Sequence, residues 1–384
     1  MKRTWLAVLG ALAAACGGDG GPPVTRVDSA GVEIVTYAGP DVPLAWTFDS
    51  LFALGGSDDG ADTFYEVHRA VVGTDAAGHL YVLDRSAKRI VVFDSTGGFV
   101  RAAGGPGGGP GEMEWPGVLA VAPDGRAGAY DFAKGALVWF GPDNAVLDQE
   151  LIVGGFNGGE VHVSDSGLVL PWRVWGSEVT DAGRDELVRL SRADTVRLIS
   201  VLGAPGKQTF FKSCSMGISG IPPVFWPSVR WAAAGNRVAV TTVARYEVLL
   251  FSGTDTTHVI RRPLEPAAAT TEAAAQEIGD AFRVRTSVGE RVCDTHEVVE
   301  QLGVADHVPI IAEIHGGPHG TWWVRRRDAA GVDVFAPDGG YLGTLPGTAP
   351  FPALSLPGDR IASIVTDELD VQRLVIYRVH MTAP

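Results

Sequence analysis

The sequence predicts an all-β protein, a six-bladed β-propeller of four-stranded blades, on three observations. A unit of four short β-prone runs recurs along the chain. Glycine and proline are abundant, with 50 and 24 residues among 384. The last unit lacks its fourth run, and a run of matching character stands near the N-terminus. Self-similarity at a period of roughly 40–50 residues marks blades that each bury a sheet against the next. Glycine and proline in such numbers suit tight turns between strands rather than long helices.

The clearest unit starts at Ala70 and reads AVVGTDAAGHLYVLDRSAKRIVVFDSTGGFVRAAGG. Its expected strands a to d are Ala70 to Thr74, Leu80 to Leu83, Arg89 to Phe93 and Phe99 to Ala102. Asp and Gly between β-branched runs mark the turns, because Gly takes positive φ without steric cost. Units of the same grammar start at Leu119, Val161, Ser228, Ile310 and Ala353. The sixth stops after three strands, so Trp46 to Gly56 is expected to supply its outer strand and close the ring. Closure leaves no unpaired sheet edge there for another chain to join. Gly31 to Tyr37 is expected to add one further edge strand, so the propeller spans 31–384. An insertion at about 264–305 separates blades four and five. There the Ala- and Glu-rich stretch Glu265 to Phe282 predicts one short helix, and His296 to Leu302 a second.

The chain begins with Lys2 and Arg3 and an apolar run from Trp5 to Ala15, too short to span a bilayer. Residues 1–15 therefore read as a signal peptide. Leu12-Ala-Ala-Ala-Cys16 resembles a bacterial lipobox, cleaved before a cysteine that becomes lipidated, with Ala13 where the pattern prefers Leu. An ordinary export signal with an incidental cysteine is the alternative. Residues 16–30, with GGDGGPP at 17–23, read as a flexible tether. The resemblance implies a protein exported to the bacterial cell envelope, on the outer membrane or facing the periplasm, and held there by its lipid alone. With Cys16 set aside, Cys214 and Cys293 form an even pair in an oxidising compartment, fit for a disulfide; two separate buried thiols are the alternative.

The run VGTDAAGHLYVLDRSAKRIVVFDSTG at Val72 to Gly97, with GGPGGGPGE at Gly104 to Glu112, resembles NHL-repeat six-bladed propellers, and in particular exported bacterial members. The likeness is strongest in blades one and two and weakest in blade three. It implies the fold and no single activity, since such propellers include binding modules and a few enzymes.

A net charge of −14 opposes nucleic-acid binding, which depends on neutralising phosphates. Among nine histidines, His162 and His315 fall at similar depth on inner strands, while His68 lies well above them, so no compact metal-ligand set forms. Glu66 and Glu160 precede inner strands and could face the channel mouth, but no amide partners accompany them for calcium. No catalytic residue, metal or cofactor is therefore assigned. A more specific pattern sits where strand b passes to strand c. Arg85, Lys134, Arg173, Arg245 and Arg326 recur there, accompanied by Trp172 and Tyr246, and the adjoining loops add Trp115 and Trp226. One basic, aromatic face is expected, suited to a protein, peptide or glycan partner in the envelope. Solvated loop charge paired with local Asp is the alternative. The expected function is a non-catalytic binding or scaffolding propeller; a metal-dependent hydrolase or lyase working in the channel is the competing reading.

Overall fold

The computed structural model describes residues 24–382 apart from 57–59, 65, 157, 176–181, 192–193, 206–207, 287–288 and 329–330. In blade one, the middle strands Leu80–Asp84 and Arg89–Phe93 are buried almost throughout, whereas the outer strand Phe99–Gly104 is largely exposed. Strands covered on both faces read as continuous apolar runs, and here the cover is the neighbouring blades. Blade two repeats this with Ala127–Asp131 and Ala136–Phe140 inside and Val146–Leu151 outside. Blades three to six start at His162, Arg230, Ile311 and Leu354, and the six sheets form a ring.

The ring closes as the sequence predicts. Strand Thr47–Leu54 pairs antiparallel with Gln372–His380, from Thr47 opposite His380 to Leu54 opposite Leu374. The expected edge strand is present as Val32–Tyr37, parallel to the outer strand Asp255–Arg261 of blade four. One expectation needs correction. Residues 24–29, assigned to the tether, form strand Val24–Ser29, paired with Val32–Tyr37. Ala30 and Gly31 between them both have positive φ, the geometry whose twist matches a two-residue hairpin. Blade four thus carries six strands. Cys16 and residues 17–23 lie outside the described residues.

Between these two strands the N-terminal segment crosses blade five. Thr344 N–H donates to Val42 O at 2.7 Å, and Leu44 N–H to Thr344 O at 3.0 Å. Gly343 makes this approach possible: its φ is 149°, and a Cβ there would lie 2.6 Å from Val42 O. One continuous strap, Val24 to Leu54, therefore touches blades four, five and six in turn.

The strap is locked by an ionic cluster in which Arg262, Arg326 and Asp333 are buried and Asp41 stands at the surface. Arg262 Nη1 lies 2.8 Å from Asp333 Oδ2, and Arg262 Nη2 lies 2.7 Å from Asp41 Oδ1. Arg326 Nη2 lies 2.7 Å from Asp41 Oδ2, and Thr344 donates to Asp333 Oδ1 at 2.6 Å. Tyr37 and Tyr341 stack at 4.1 Å, with the Arg262 guanidinium over both rings. The hydrogen bond from Arg326 holds the Asp41 carboxyl down at about 2.

The insertion is richer than two helices. Helix α1 covers only Thr271–Ile278, capped by Thr270 Oγ1 and ended at Gly279; helix α2 covers Thr295–Leu302. The single helix expected over Glu265 to Phe282 is thus shortened at both ends, because the Thr270 cap starts it late and Gly279 at φ 80° stops it. Between the helices lies a hairpin, Ala281–Thr286 with Gly289–Asp294, and a second hairpin, Gln208–Phe211 with Met216–Ser219, joins it from the loop before blade four. Cys214 and Cys293 form the disulfide between the two parts, packed against Phe211 and Val298. The bridge encloses blade four, with its cysteines 79 residues apart in sequence. Loss of that cross-link, by Cys214→Ser with Cys293→Ser, is expected to cost about 3–4 kcal/mol. Urea unfolding with and without reductant would measure it; equal midpoints would show that the bridge contributes nothing. Among the described residues no helix is long and apolar enough to cross a membrane.

Candidate functional site

The b-to-c face is not the free basic surface that the sequence suggests. Arg85 lies 3.8 Å from Glu66, Arg173 lies 2.9 Å from Asp185, and Arg245 lies 2.9 Å from Glu247. Lys134 donates to Gly109 O and Glu112 O, holding the glycine-rich loop against blade two. Two predicted surface residues are core residues instead. Tyr246 is 1% exposed and Arg326 4%, because the strap covers this end of blades four and five. Trp172 is half-buried over Gly154 and Gly155, and Trp226 is half-buried. Trp115 remains open, 55% exposed, with Phe132 at 5.4 Å. Trp322 and Trp323, on strand Trp322–Arg326 of blade five, are fully buried.

The concave feature of the ring is its central channel, a cavity of about 490 Å³ lined by inner strands of all six blades. Its walls carry His162 from blade three and His315 from blade five. His162 Nε2 donates to Gly235 O and His315 Nδ1 to Gly316 O, both at 2.7 Å. His68 lies instead in the outer recess, as the strand count predicts. Among the described residues no three His, Cys, Asp or Glu side chains group as metal ligands.

Arg69 forms a bar across one mouth of the channel. Its Nε lies 2.8 Å from Glu160 Oε1 of blade three, and its Nη2 donates to Ile314 O of blade five at 3.1 Å. Arg69 and Glu160 also border two further recesses, of about 330 and 850 Å³, on the face that bears the insertion. Glu313 completes the mouth, with Arg325 at 3.9 Å. Glu160 is anticipated by its place before an inner strand. Arg69 occupies the same kind of position in blade one, the signal by which it could have been found. Arg230 opens the inner strand of blade four, a place of the same kind, whereas Glu313 lies within its strand and ring closure brings it there.

Burial governs the chemistry of these groups. It pushes the Glu160 carboxyl up, against the pull of Arg69, and the nearby Glu313 charge adds to the rise. Burial pushes His315 down to about 3, and the Arg69 charge reinforces the effect. Between pH 6.5 and about 3 the unfolded chain therefore binds a proton at His315 that the folded chain refuses. Stability falls as pH drops through that window, with a slope of up to about 1.4 kcal/mol per pH unit. His315→Asn is expected to flatten the decline of the urea midpoint between pH 6.5 and 4; an unchanged slope would remove His315 as its cause.

Two solved structures share this architecture. One is a protein from Bacteroides fragilis described as exported, 12% identical, with a TM-score of 0.53 over 91% of this chain and 99% of that one. The other is a DUF4221 family member from Bacteroides vulgatus, 10% identical, with a TM-score of 0.50 over 88% of this chain and 99% of that one. At these identities the likeness concerns the fold alone. No protein-family model and no curated protein matches the chain.

Proposed function

We propose that this chain is an exported, lipid-anchored binding propeller that takes its ligand at the Arg69–Glu160 mouth of the channel. The observation that carries the reading is the geometry of that mouth: three adjoining recesses meet at one charged pair, on the face built up by the insertion. A concave site with a few convergent polar groups is the usual form of a ligand pocket. The neutralised b-to-c arginines make the rest of that face a frame rather than the contact. Trp115, still open, could extend the contact at the rim.

Export is supported by the signal-like residues 1–15, by the disulfide, and by a structural neighbour described as exported. NHL-type ancestry and anchoring through Cys16 belong to the same proposal. Cys16→Ser is expected to move the protein from the membrane to the soluble fraction; unchanged membrane fractionation would remove the anchor from this reading.

Thr348 borders the larger recess and is exposed, so Thr348→Trp should fill it without disturbing the core. The purified protein would be screened on peptide and polysaccharide arrays. Binding that disappears in Thr348→Trp, with melting temperature unchanged, supports the mouth as the site. Binding indifferent to this substitution, or a stoichiometric metal whose removal abolishes function, would overturn it.

A further inference from the structure

We propose that the channel mouth recognises a carboxylate on an apolar body, gripping the anion with Arg230 and resting the body against Pro350, Ile364 and Val365. This rests on the binding reading above and names its ligand chemistry. The argument starts from which cations at the mouth are already paired. Arg69 is held by Glu160 and Arg325 by Glu313, as described; Arg327 is paired with Glu277 of α1. Arg230 is half-buried and borders the smaller recess with Arg69, Glu160 and Glu313, and its guanidinium has no ion pair or hydrogen bond among the described residues. A guanidinium partly withdrawn from water without a partner is costly, and an incoming anion offsets that cost.

Its surroundings sharpen the point. Burial pushes the Arg230 pKa down and the Arg327 charge pushes the same way, with Glu277 and Glu313 opposing. The ligand is a monoanion because Glu160 and Glu313 stand at the same mouth and would repel a dianion such as phosphate. It has an apolar body because Pro350, Ile364 and Val365 present apolar surface to the larger recess. A sugar is disfavoured as that body: the Arg325 guanidinium lies over the Phe351 ring at 4.4 Å, occupying the face on which a sugar would stack.

A free amphiphilic acid and the C-terminus of a peptide share this chemistry. Isothermal titration of the purified protein would use octanoate, N-acetyl-Ala-Leu as its free acid, and the same dipeptide as its amide. The expected result is binding of at least one acid, with the amide at least about tenfold weaker than the peptide acid wherever that acid binds. Arg230→Gln should weaken acid binding by at least about tenfold, and Arg230→Lys should restore part of it, with melting temperatures within about 2 °C of the wild type. Octanoate as the tighter acid identifies a free amphiphile, and the dipeptide as the tighter one identifies a chain terminus. The inference falls if amide and peptide acid bind alike, if Arg230→Gln leaves acid affinity unchanged, or if neither acid binds at about 10 mM. If neither acid binds while array binding still vanishes in Thr348→Trp, only the carboxylate inference falls and the binding reading stands.

Discussion

A chain starting at Ser57 will fail to form a stable closed ring. It would lack Thr47–Leu54, leaving Gln372–His380 as an open edge whose Leu374, Ile376 and Val379 are now almost fully buried. It would also lose Val35, Tyr37, Leu44 and Leu54, each buried against blades four to six. At about 1.5–3 kcal/mol for each of these four buried side chains, the loss is on the order of 6–12 kcal/mol. That equals the whole stability of a typical domain. Size-exclusion chromatography and thermal melting would check the result. A monodisperse monomer with an undiminished melting temperature would show that the ring closes without its N-terminal strand.

Asp333→Ala is expected to destabilise the fold by about 3–5 kcal/mol, more than any surface charge could. Asp333 is wholly buried and faces two arginines that are each 4% exposed. Removing it leaves both guanidinium groups in the interior with Asp41 as their remaining shared acid. The cost comes from the stranded cations rather than from a strong net attraction. Replacing Arg262 and Asp333 together by Met and Leu should therefore recover a good part of the loss. Urea unfolding of the single and double variants would measure it. If the double variant proved as unstable as Asp333→Ala, the stranded-charge account would be wrong. Acid should weaken the same cluster. The Asp41 pKa is lowered in the folded state, so its contribution is complete above the ordinary value of 3.8 and fades as pH falls through about 2.

The ring was legible because blade one states its pattern locally. Leu80 to Asp84 and Arg89 to Phe93 are apolar runs closed by Asp–Gly turns, and they fold where those signals place them. The closing strand was legible by subtraction, since the sixth unit lacked one. The hairpin Ala281–Asp294 was not. Its first strand follows an alanine-rich stretch, and the contacts that favour strand come from the distant Cys214 hairpin. Val24–Ser29 was hidden for a similar reason: five of its six residues are exposed, so no apolar alternation marks it. The site divided along the same line. Glu160 and the channel histidines could be placed by counting along one strand. Arg230 could be placed the same way, but its significance could not be read, because it lies in which neighbours took the available carboxylates. The basic b-to-c pattern misled because charge in a sequence carries no record of its partner. Arg326 and Tyr246 look like rim residues until the strap is laid over them.

The strap also sets the order in which the molecule can be completed. The strand pairing that closes blade six joins distant segments, with Thr47 opposite His380 and the His380 ring against the Asp49 carboxylate across 331 positions. Bringing such distant segments together adds little to the equilibrium entropy cost, which grows only logarithmically with loop length. It does lengthen the search, and folds dominated by distant pairings form slowly. Until the C-terminal strand is made, the other five blades can assemble only as an open arc with an exposed edge. The chain must then remain unaggregated through this interval, so its period of greatest vulnerability falls late in folding, when most of its blades are already formed.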